Sequence, residues 1–242
     1  VSIENKSKGK SYLASMGIYM FSKQVMMKLF SDNEKAVDFG KEIIPDAIHG
    51  GLKVASYAFD GYWTDIGNIY SFFEANIGLT DDVPQFNLFD NAKTVYSRAR
   101  MLPPAKISGT RLNKSIIAEG SIILADAIEQ SVVGIRARIG AGTTVTNAYI
   151  MGNDYYETLE QIHENTAAGK PLIGIGERCV IESAIIDKNC RIGNDVRNQV
   201  FGLVLWFSSL LLAFRSRVLI PLSDVFGLLL GLLRQLGILH LC

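Results

Sequence analysis

The sequence has few of the residues that build covalent cross-links or transition-metal sites. Its 242 residues include only three cysteines (Cys179, Cys190 and Cys242), and no two of them have a Cys-x-x-Cys spacing. The three histidines are scattered along the chain. These residues therefore indicate neither a disulfide framework nor a zinc site. Reduced thiols in an intracellular compartment are the expectation.

An excess of charge of one sign is also lacking. Twenty-four Lys and Arg residues balance 24 Asp and Glu residues, so the formal net charge is zero. A balanced chain gives no support to nucleic-acid binding, and any anion-binding site must be local. The chain begins at Val1 with no signal-peptide pattern, and it reads as a fragment whose targeting segment is not in view.

Long apolar runs occur only near the end of the chain. Residues 201–214 and 218–233 are rich in leucine, but each run is shorter than the roughly 18–20 residues that cross a bilayer. A membrane hairpin is one interpretation of this segment. The abrupt change of composition favours another, in which residues 198–242 are an aberrant tail from read-through or mis-splicing.

The first stretch mixes strand and helix signals. Residues 12–21 and 52–59 are rich in strand formers, and helical spacing lies between and after them. Pro45 predicts that the second helix starts late or kinks. The order strand, helix, strand, helix suits an α/β layer, but it is too short to be complete, so upstream strands are expected to be missing. The predicted helices begin near Ser22, Asp38 and Ile69.

The stretch that follows, residues 80–106, has little periodicity and contains Pro103 and Pro104. It is predicted to be a linker that packs on a domain surface, because a free linker would not carry this many apolar side chains. Those side chains are Phe86, Leu88, Phe89 and Tyr96.

A hexapeptide period appears in residues 107–197. Aliphatic residues recur every six positions, and glycine follows several of them. Such a period is typical of a parallel β-helix, in which each short strand puts one aliphatic side chain into a narrow core. An antiparallel sheet is the alternative, because a period of two also divides six. Residues 151–172 interrupt the repeat and contain a predicted helix over 157–168. The spaced residues are Val133, Ile139, Val145, Ile175, Ile181, Ile186 and Ile192.

Five motifs occur in order along the chain: ASMGIY at 14–19, DFGKEIIP at 38–45, YWTDIG at 62–67, LPP at 102–104, and Ile175-Gly176 with IIDKN at 185–189. Together they resemble the C-terminal half of the glucose-1-phosphate adenylyltransferases. Met151-Gly152-Asn153-Asp154-Tyr155-Tyr156-Glu157-Thr158 narrows this resemblance to the ADP-glucose branch, with plant and cyanobacterial members the most similar in character. The resemblance implies an α/β C-terminal part of a Rossmann-like nucleotidyltransferase domain, followed by a left-handed parallel β-helix.

The resemblance also divides the chain. Residues 1–79 would be the C-terminal part of the catalytic domain, 80–106 the linker, 107–197 the regulatory β-helix and 198–242 the tail. The family's glycine-rich nucleotide loop, its first metal-binding aspartate and its Glu-Lys pair for glucose 1-phosphate have no counterpart here. We therefore expect no adenylyltransferase activity from these residues alone.

Three site residues follow from the resemblance. Asp65 matches the family's second magnesium carboxylate, and Mg²⁺ prefers carboxylate ligands; a turn-capping aspartate is the alternative. Ser15 would hydrogen-bond the glucosyl group of glucose 1-phosphate or ADP-glucose; a strand serine bonded to neighbouring backbone is the alternative. Lys188 would lie in an activator site for 3-phosphoglycerate, as an exposed point charge suited to phosphate. A solvated lysine at a β-helix corner is the alternative.

The implied activity is adenylyl transfer from ATP to glucose 1-phosphate, with Mg²⁺, in starch or glycogen synthesis. Implied partners are the effectors 3-phosphoglycerate and phosphate and the other subunits of a homo- or heterotetramer, with no nucleic acid and no membrane. The implied location is the plastid stroma, with the cytoplasm as alternative. A non-catalytic regulatory subunit is a rival. A hexapeptide acyltransferase is disfavoured because His163 lies in the interruption, and a UDP- or GDP-sugar pyrophosphorylase is disfavoured by residues 151–158.

Overall fold

The computed structural model describes residues 15–197 and the backbone of Val204–Trp206. Contacts divide the chain into two compact units at Asp65 and Ile66. Each unit has an apolar core of its own. The division falls earlier than the predicted end of the catalytic segment at residue 79, because the helix after Asp65 packs on strands of the second unit.

The predicted helices of the first unit are present. Helix α1 spans Lys23–Asp32, a π-helical turn spans Phe39–Ile43, and α2 spans Ile44–His49. Pro45 lies in the first turn of α2, where its missing N–H leaves no hydrogen bond unmade. The expected late start is therefore confirmed, with the π-helical turn preceding the proline. Gly50 ends α2, as predicted.

The predicted strands of this unit are not present among the described residues. Residues 15–21 and 52–59 form no strand ladder, and Met20 and Tyr57 are almost fully exposed. A strand exists only when its backbone pairs with a neighbour, and residues 15–65 contain no such pair. The prediction was wrong here because alternation of side chains does not supply a pairing partner. The buried core of the unit consists of Leu29, Ile43 and Ala47.

The second unit is built on a parallel β-helix. Its strands form two five-stranded parallel sheets, one of two-residue strands and one of mostly seven-residue strands. Arg111 pairs with Ala127, and Ala127 pairs with Thr144, so an uninterrupted coil takes 16 or 17 residues. The strands are β1 Lys106–Ile107, β2 Arg111–Ile117, β3 Ile122–Ile123, β4 Ala127–Val133, β5 Arg138–Ile139, β6 Thr144–Ile150, β7 Gly174–Ile175, β8 Val180–Ile186, β9 Arg191–Ile192 and β10 Val204–Trp206.

Each long strand bends at its middle residue. The middle residues have φ values between 44° and 50°, a left-handed conformation that ordinary residues adopt at a cost. Because these residues stack from coil to coil, the long strands give two faces and the short strands give the third. The middle residues are Lys114, Gln130, Asn147 and Ser183.

The hexapeptide prediction is confirmed. All seven spaced aliphatic side chains are buried in one continuous core. The glycines that follow these aliphatic residues are explained by close packing and not by backbone conformation. Gly134, Gly140 and Gly176 do not adopt positive φ; a Cβ on Gly140 would instead lie 2.6 Å from the backbone of Gly176 in the next coil. Glycine is therefore required because adjacent coils approach closely.

The interruption of the repeat is a loop with a helix, as predicted. Helix α4 spans Leu159–Ala167 and begins with a capping box, in which Thr158 and Gln161 bond each other's backbone N–H groups. The loop leaves after β6 and returns before β7, and the parallel pairing of Ile139 with Ile175 continues across it. An inserted loop is thus accommodated without a break in the coil stack.

Helix α3, Ile69–Ile77, packs against β4 and β6, and the ring of Phe72 contacts that of Tyr149 with centroids 5.3 Å apart. After it, short 3₁₀ turns cover Gly78–Thr80 and Asn91–Lys93. The linker is joined to the β-helix near its ends, by the Asp82–Lys114 ion pair and by the bond from Gly120 N–H to Pro103 O. The expectation that its aromatics are packed was wrong for two of them, since Phe89 is 82% exposed and Tyr96 is 95% exposed.

The predicted tail lies outside the described residues except for β10. Leu205 pairs with Ile185 and Trp206 with Ile186, so β10 extends the long-strand sheet by one strand. Residues 184–186 of β8 therefore have a paired neighbour on this side. Within the described residues, no helix has both the length and the apolar character needed to cross a membrane.

Candidate functional site

Ser15 lies in a tight turn in the first unit. Its hydroxyl accepts a hydrogen bond from Gly17 N–H at 3.2 Å and lies 3.0 Å from the hydroxyl of Tyr19. The bonded neighbour is thus local backbone, as in the alternative interpretation of this serine. The residue is exposed, so one face of its hydroxyl remains open to a ligand, and its role in binding a sugar stays a prediction.

The Tyr19 ring joins the ASMGIY motif to the DFGKEIIP motif. It stacks on Phe39 with ring centroids 5.7 Å apart. Phe39 also contacts the rings of Phe21 and Phe30. Stacked and edge-on contacts of this kind stabilise beyond the area they bury. Two motifs that are about 20 residues apart in the sequence therefore form one aromatic cluster beside Ser15.

Local hydrogen bonds explain the charged residues of the DFGKEIIP motif. Asp38 accepts from the backbone N–H of Lys41 at 2.8 Å, and Glu42 accepts from the N–H groups of Val37 and Asp38 at 2.7 and 2.9 Å. These carboxylates cap the start of the helical segment, where backbone N–H groups have no helical partner. Their positions therefore have a structural explanation that requires no substrate.

Asp65 lies in an irregular segment, residues 62–67, and is exposed. No group of three or more His, Cys, Asp or Glu side chains within the described residues could hold a metal ion. This does not exclude magnesium, which keeps several water ligands and is often held by one or two carboxylates together with substrate phosphates. An exposed aspartate fits one such ligand, and its metal role stays a prediction.

Lys188 lies in the turn between β8 and β9, at one corner of the β-helix. Its ammonium group lies 2.8 Å from a carboxylate oxygen of Asp154, and both side chains are about half exposed. The second oxygen of Asp154 accepts from the Asn189 side-chain amide at 2.8 Å. The hydrogen bond from Lys188 lowers the pKa of Asp154, with further contributions from Asn189 and from the charge of Arg136. Lys188 is therefore a solvent-accessible cation with an internal counter-ion.

A second ion pair, which is largely buried, joins the inserted loop to the first residue of β9. Arg191 bonds a carboxylate oxygen of Glu157 at 2.6 Å, and their side chains are only 18% and 4% exposed. Glu157 also accepts from the Asn165 amide and from the N–H of Ile173 at 2.7 and 2.8 Å. Burial raises the pKa of Glu157, but these donors outweigh burial and leave its pKa lowered. The inserted loop is thus fixed to the β8–β9 turn by two carboxylates.

Two arginines of the β-helix, Arg178 and Arg191, have carboxylate partners other than Asp154. Arg191 bonds Glu157 and the carbonyl of Pro171. Arg178 lies at a different corner, in the turn before β8, where it binds Asp195 through two hydrogen bonds of 2.8 and 3.0 Å. These partners raise its pKa. Arg178 and Arg191 are therefore each neutralised by a carboxylate of their own.

Sequence reasoning missed Asp154 and Asn189 as neighbours of Lys188, and it missed Arg136 as a charge near Asp154. Asp154 is 34 residues away in sequence, and the two meet because Ile150 and Ile186 pair in adjacent coils. Asn153 then bonds the carbonyl of Arg136 one coil further back. The register of the strands would have predicted this contact. Residues that follow paired strand ends stack at the same corner of the β-helix.

Two family models match the chain. The nucleotidyl transferase model matches residues 2–82, and the model of the GLGC left-handed parallel beta-helix domain matches residues 100–201. The fold class is therefore confirmed: part of a nucleotidyl transferase domain is followed by a left-handed parallel β-helix. This combination supports nucleotidyl transfer to a sugar phosphate as the chemistry of the protein. The domain boundaries proposed from the sequence and the roles of Ser15, Asp65 and Lys188 stay predictions.

Proposed function

We propose that the protein acts in adenylyl transfer from ATP to glucose 1-phosphate, giving ADP-glucose and pyrophosphate. The order of the two matched domains, together with the ADP-glucose-type motif at residues 151–158, carries this proposal. In-line attack of the sugar phosphate on the α-phosphorus of ATP needs positioning and charge stabilisation but no covalent intermediate. Starch or glycogen synthesis, in the plastid stroma or the cytoplasm, would use the product.

Asp65 would supply one carboxylate to Mg²⁺, which neutralises phosphate charge during the transfer. Ser15 would hydrogen-bond the glucosyl group, and its neighbours Tyr19 and Phe39 support this role, because the aromatic cluster holds the turn that carries the hydroxyl. The protein would assemble as a homo- or heterotetramer. These assignments depend on the resemblance of the motifs.

Lys188 would bind an anionic effector such as 3-phosphoglycerate or phosphate. Its half-exposed ammonium group and its place at a β-helix corner support this role. A phosphate group carries more charge and more acceptor oxygens than a carboxylate. A contact between Lys188 and phosphate is therefore favoured over its contact with the Asp154 carboxylate. Regulation would then act through the β-helix and not through the substrate site.

The experiment that tests the proposal is ATP- and Mg²⁺-dependent formation of ADP-glucose by the product of the complete transcript. Asp65→Asn removes the charge that a magnesium ligand needs but keeps the size of the side chain. We expect activity in the parent and a loss of at least about 100-fold in the variant. Asp60→Asn, a change of the same kind five residues away, is the control and should retain activity.

Two other outcomes would redirect the proposal. A parent without activity that nevertheless changes a partner subunit's response to 3-phosphoglycerate would indicate the regulatory subunit. Equal activity in Asp65→Asn and the parent would remove Asp65 from the metal site and leave the adenylyltransferase assignment in place. Activity with UTP or GTP but none with ATP would contradict the assignment itself.

A further inference from the structure

The Asp154 carboxylate accepts hydrogen bonds from donors that would also suit an anionic ligand. One oxygen lies 2.8 Å from Lys188 Nζ and the other lies 2.8 Å from Asn189 Nδ2. Arg136 contributes attraction from one coil away, and its guanidinium group lies over the Tyr156 ring, 5.8 Å from the centroid. Tyr156 in turn donates to the carbonyl of Gly120. Lys188 and Asn189 lie in the β8–β9 turn, Asp154 follows β6 in the preceding coil, and Arg136 lies in the β4–β5 turn one coil before that, so all four share one corner.

The two carboxylates that fix the inserted loop differ in how readily they can be displaced. The Asp154–Lys188 pair is about half exposed on both sides, whereas the Glu157–Arg191 pair is largely buried and has two further donors on Glu157. Exposed ion pairs contribute little to stability. Breaking a buried pair leaves an uncompensated charge, which is strongly unfavourable. An incoming anion can therefore replace Asp154 but not Glu157.

We infer that Lys188, Asn189 and Arg136 form one anion-binding site, that Asp154 is its internal competitor, and that a phosphate-bearing ligand binds by displacing the Asp154 carboxylate. This inference rests on the proposed effector role of Lys188 and adds to it two donors and a mechanism of competition. Ligand binding is also expected to change the structure of the inserted loop. Displacement frees the start of the inserted loop near Asp154, while Glu157 keeps the rest of the loop in place.

Two backbone hydrogen bonds indicate which amides of the inserted loop should exchange faster when the ligand binds. The backbone N–H of Asp154 donates to the Asn189 side-chain oxygen at 2.9 Å. The backbone N–H of Ile173 donates to Glu157 at 2.8 Å. Ligand binding should therefore expose the first amide to exchange with solvent and leave the second protected.

The test is calorimetric titration of the 242-residue chain with inorganic phosphate and, separately, with 3-phosphoglycerate at low ionic strength. Asp154→Asn removes the competing charge, and it should tighten binding by about threefold or more, the scale of an exposed ion pair. Glu160→Gln removes an equal charge from an exposed position of the same loop and should leave the affinity unchanged. Lys188→Gln should abolish binding. Hydrogen exchange at Asp154 and Ile173 is followed in the same samples.

The outcomes separate this inference from the proposal it rests on. Lys188-dependent binding with the same affinity in Asp154→Asn and the parent, or without faster exchange at the Asp154 amide, overturns the competition and keeps the effector role of Lys188. If neither the parent nor Asp154→Asn binds phosphate or 3-phosphoglycerate, the effector role is overturned as well. Binding that survives Lys188→Gln has the same consequence. Neither result bears on ADP-glucose formation, which the assay of Asp65→Asn tests independently.

Discussion

The β-helix and residues 15–65 bury their apolar side chains in different ways. The β-helix has a single cluster of sixteen buried residues that runs through its stacked coils, whereas the described part of the first unit has a buried cluster of three. In the first unit, side chains such as Ile18 and Met20 are largely exposed. The difference follows from topology, because each uninterrupted coil finds its pairing partner 16 or 17 residues away in sequence, and the repeat continues in register across the inserted loop.

This comparison shows what a hexapeptide period specifies and what simple alternation does not. A coil of the β-helix contacts only its neighbours, so the repeat defines both the strand and its partner. The alternating residues 52–59 define only which side chains would share a face. In this segment only Leu52 packs against the core of the first unit, and residues 53–59 are exposed.

The largest expected effect in this comparison is that of Ile181→Ala. Ile181 is fully buried and pairs with Val145 of the preceding coil. Truncation in a tightly packed core leaves a cavity, and we expect the free energy of unfolding to fall by about 2 to 5 kcal/mol. Leu29→Ala in the first unit should lower it by less than about 2 kcal/mol, because a small core with half-buried neighbours can relax. Urea denaturation measures both values.

Hydrogen exchange shows where each of these changes acts. Ile181→Ala should speed exchange throughout the β-helix, and Leu29→Ala should speed it only in the first unit. If Leu29→Ala loosened the β-helix amides as much as Ile181→Ala does, the two cores would not be separate, and the comparison would fail.

Much of the β-helix could be predicted from the sequence because its period is local. The positions of Ile139, Val145 and Ile181, and the helix inside the inserted loop, follow from spacing alone. The reason for Gly140 could not be predicted, because it depends on the distance between two coils. The same holds for the Asp154–Lys188 pair of the candidate site, which needs the register of β6 against β8. Around Ser15, the motif predicted a sugar-binding role, which stays a prediction, but it did not predict that the hydroxyl bonds Gly17 and Tyr19.

Gly140→Ala is expected to have an intermediate effect. An added Cβ would lie 2.6 Å from backbone atoms of Gly176, so two coils must separate or a strand must shift. Overpacking of this kind costs about 1 to 3 kcal/mol, and thermal unfolding should show a lower Tm. Gly40→Ala in the first unit is the control, because its Cβ would meet the Tyr19 hydroxyl at an ordinary 3.4 Å. A harmless Gly140→Ala would contradict the argument that the coils touch at this corner.

The smallest expected effect is the contribution of Glu157 to the pH dependence of the free energy of unfolding. Its pKa is lowered in the folded protein, because the bonds from Ile173, Arg191 and Asn165 outweigh its burial. The unfolded chain then binds this proton more readily than the folded chain. The contribution of Glu157 to stability is therefore complete above its unfolded pKa of about 4.3 and is lost as the pH falls through the lower folded value.

Glu157→Gln isolates that contribution. The variant should be less stable than the parent at pH 7, because it leaves Arg191 without its charged partner. Between pH 7 and pH 3, however, its free energy of unfolding should fall less than that of the parent, and the two curves should converge. Asp154→Asn is the matched comparison in the exposed pair, and it should change the pH 7 value little. Parallel curves for Glu157→Gln and the parent would mean that this carboxylate titrates alike in both states, and the buried pair would then hold the loop no more firmly than the exposed one.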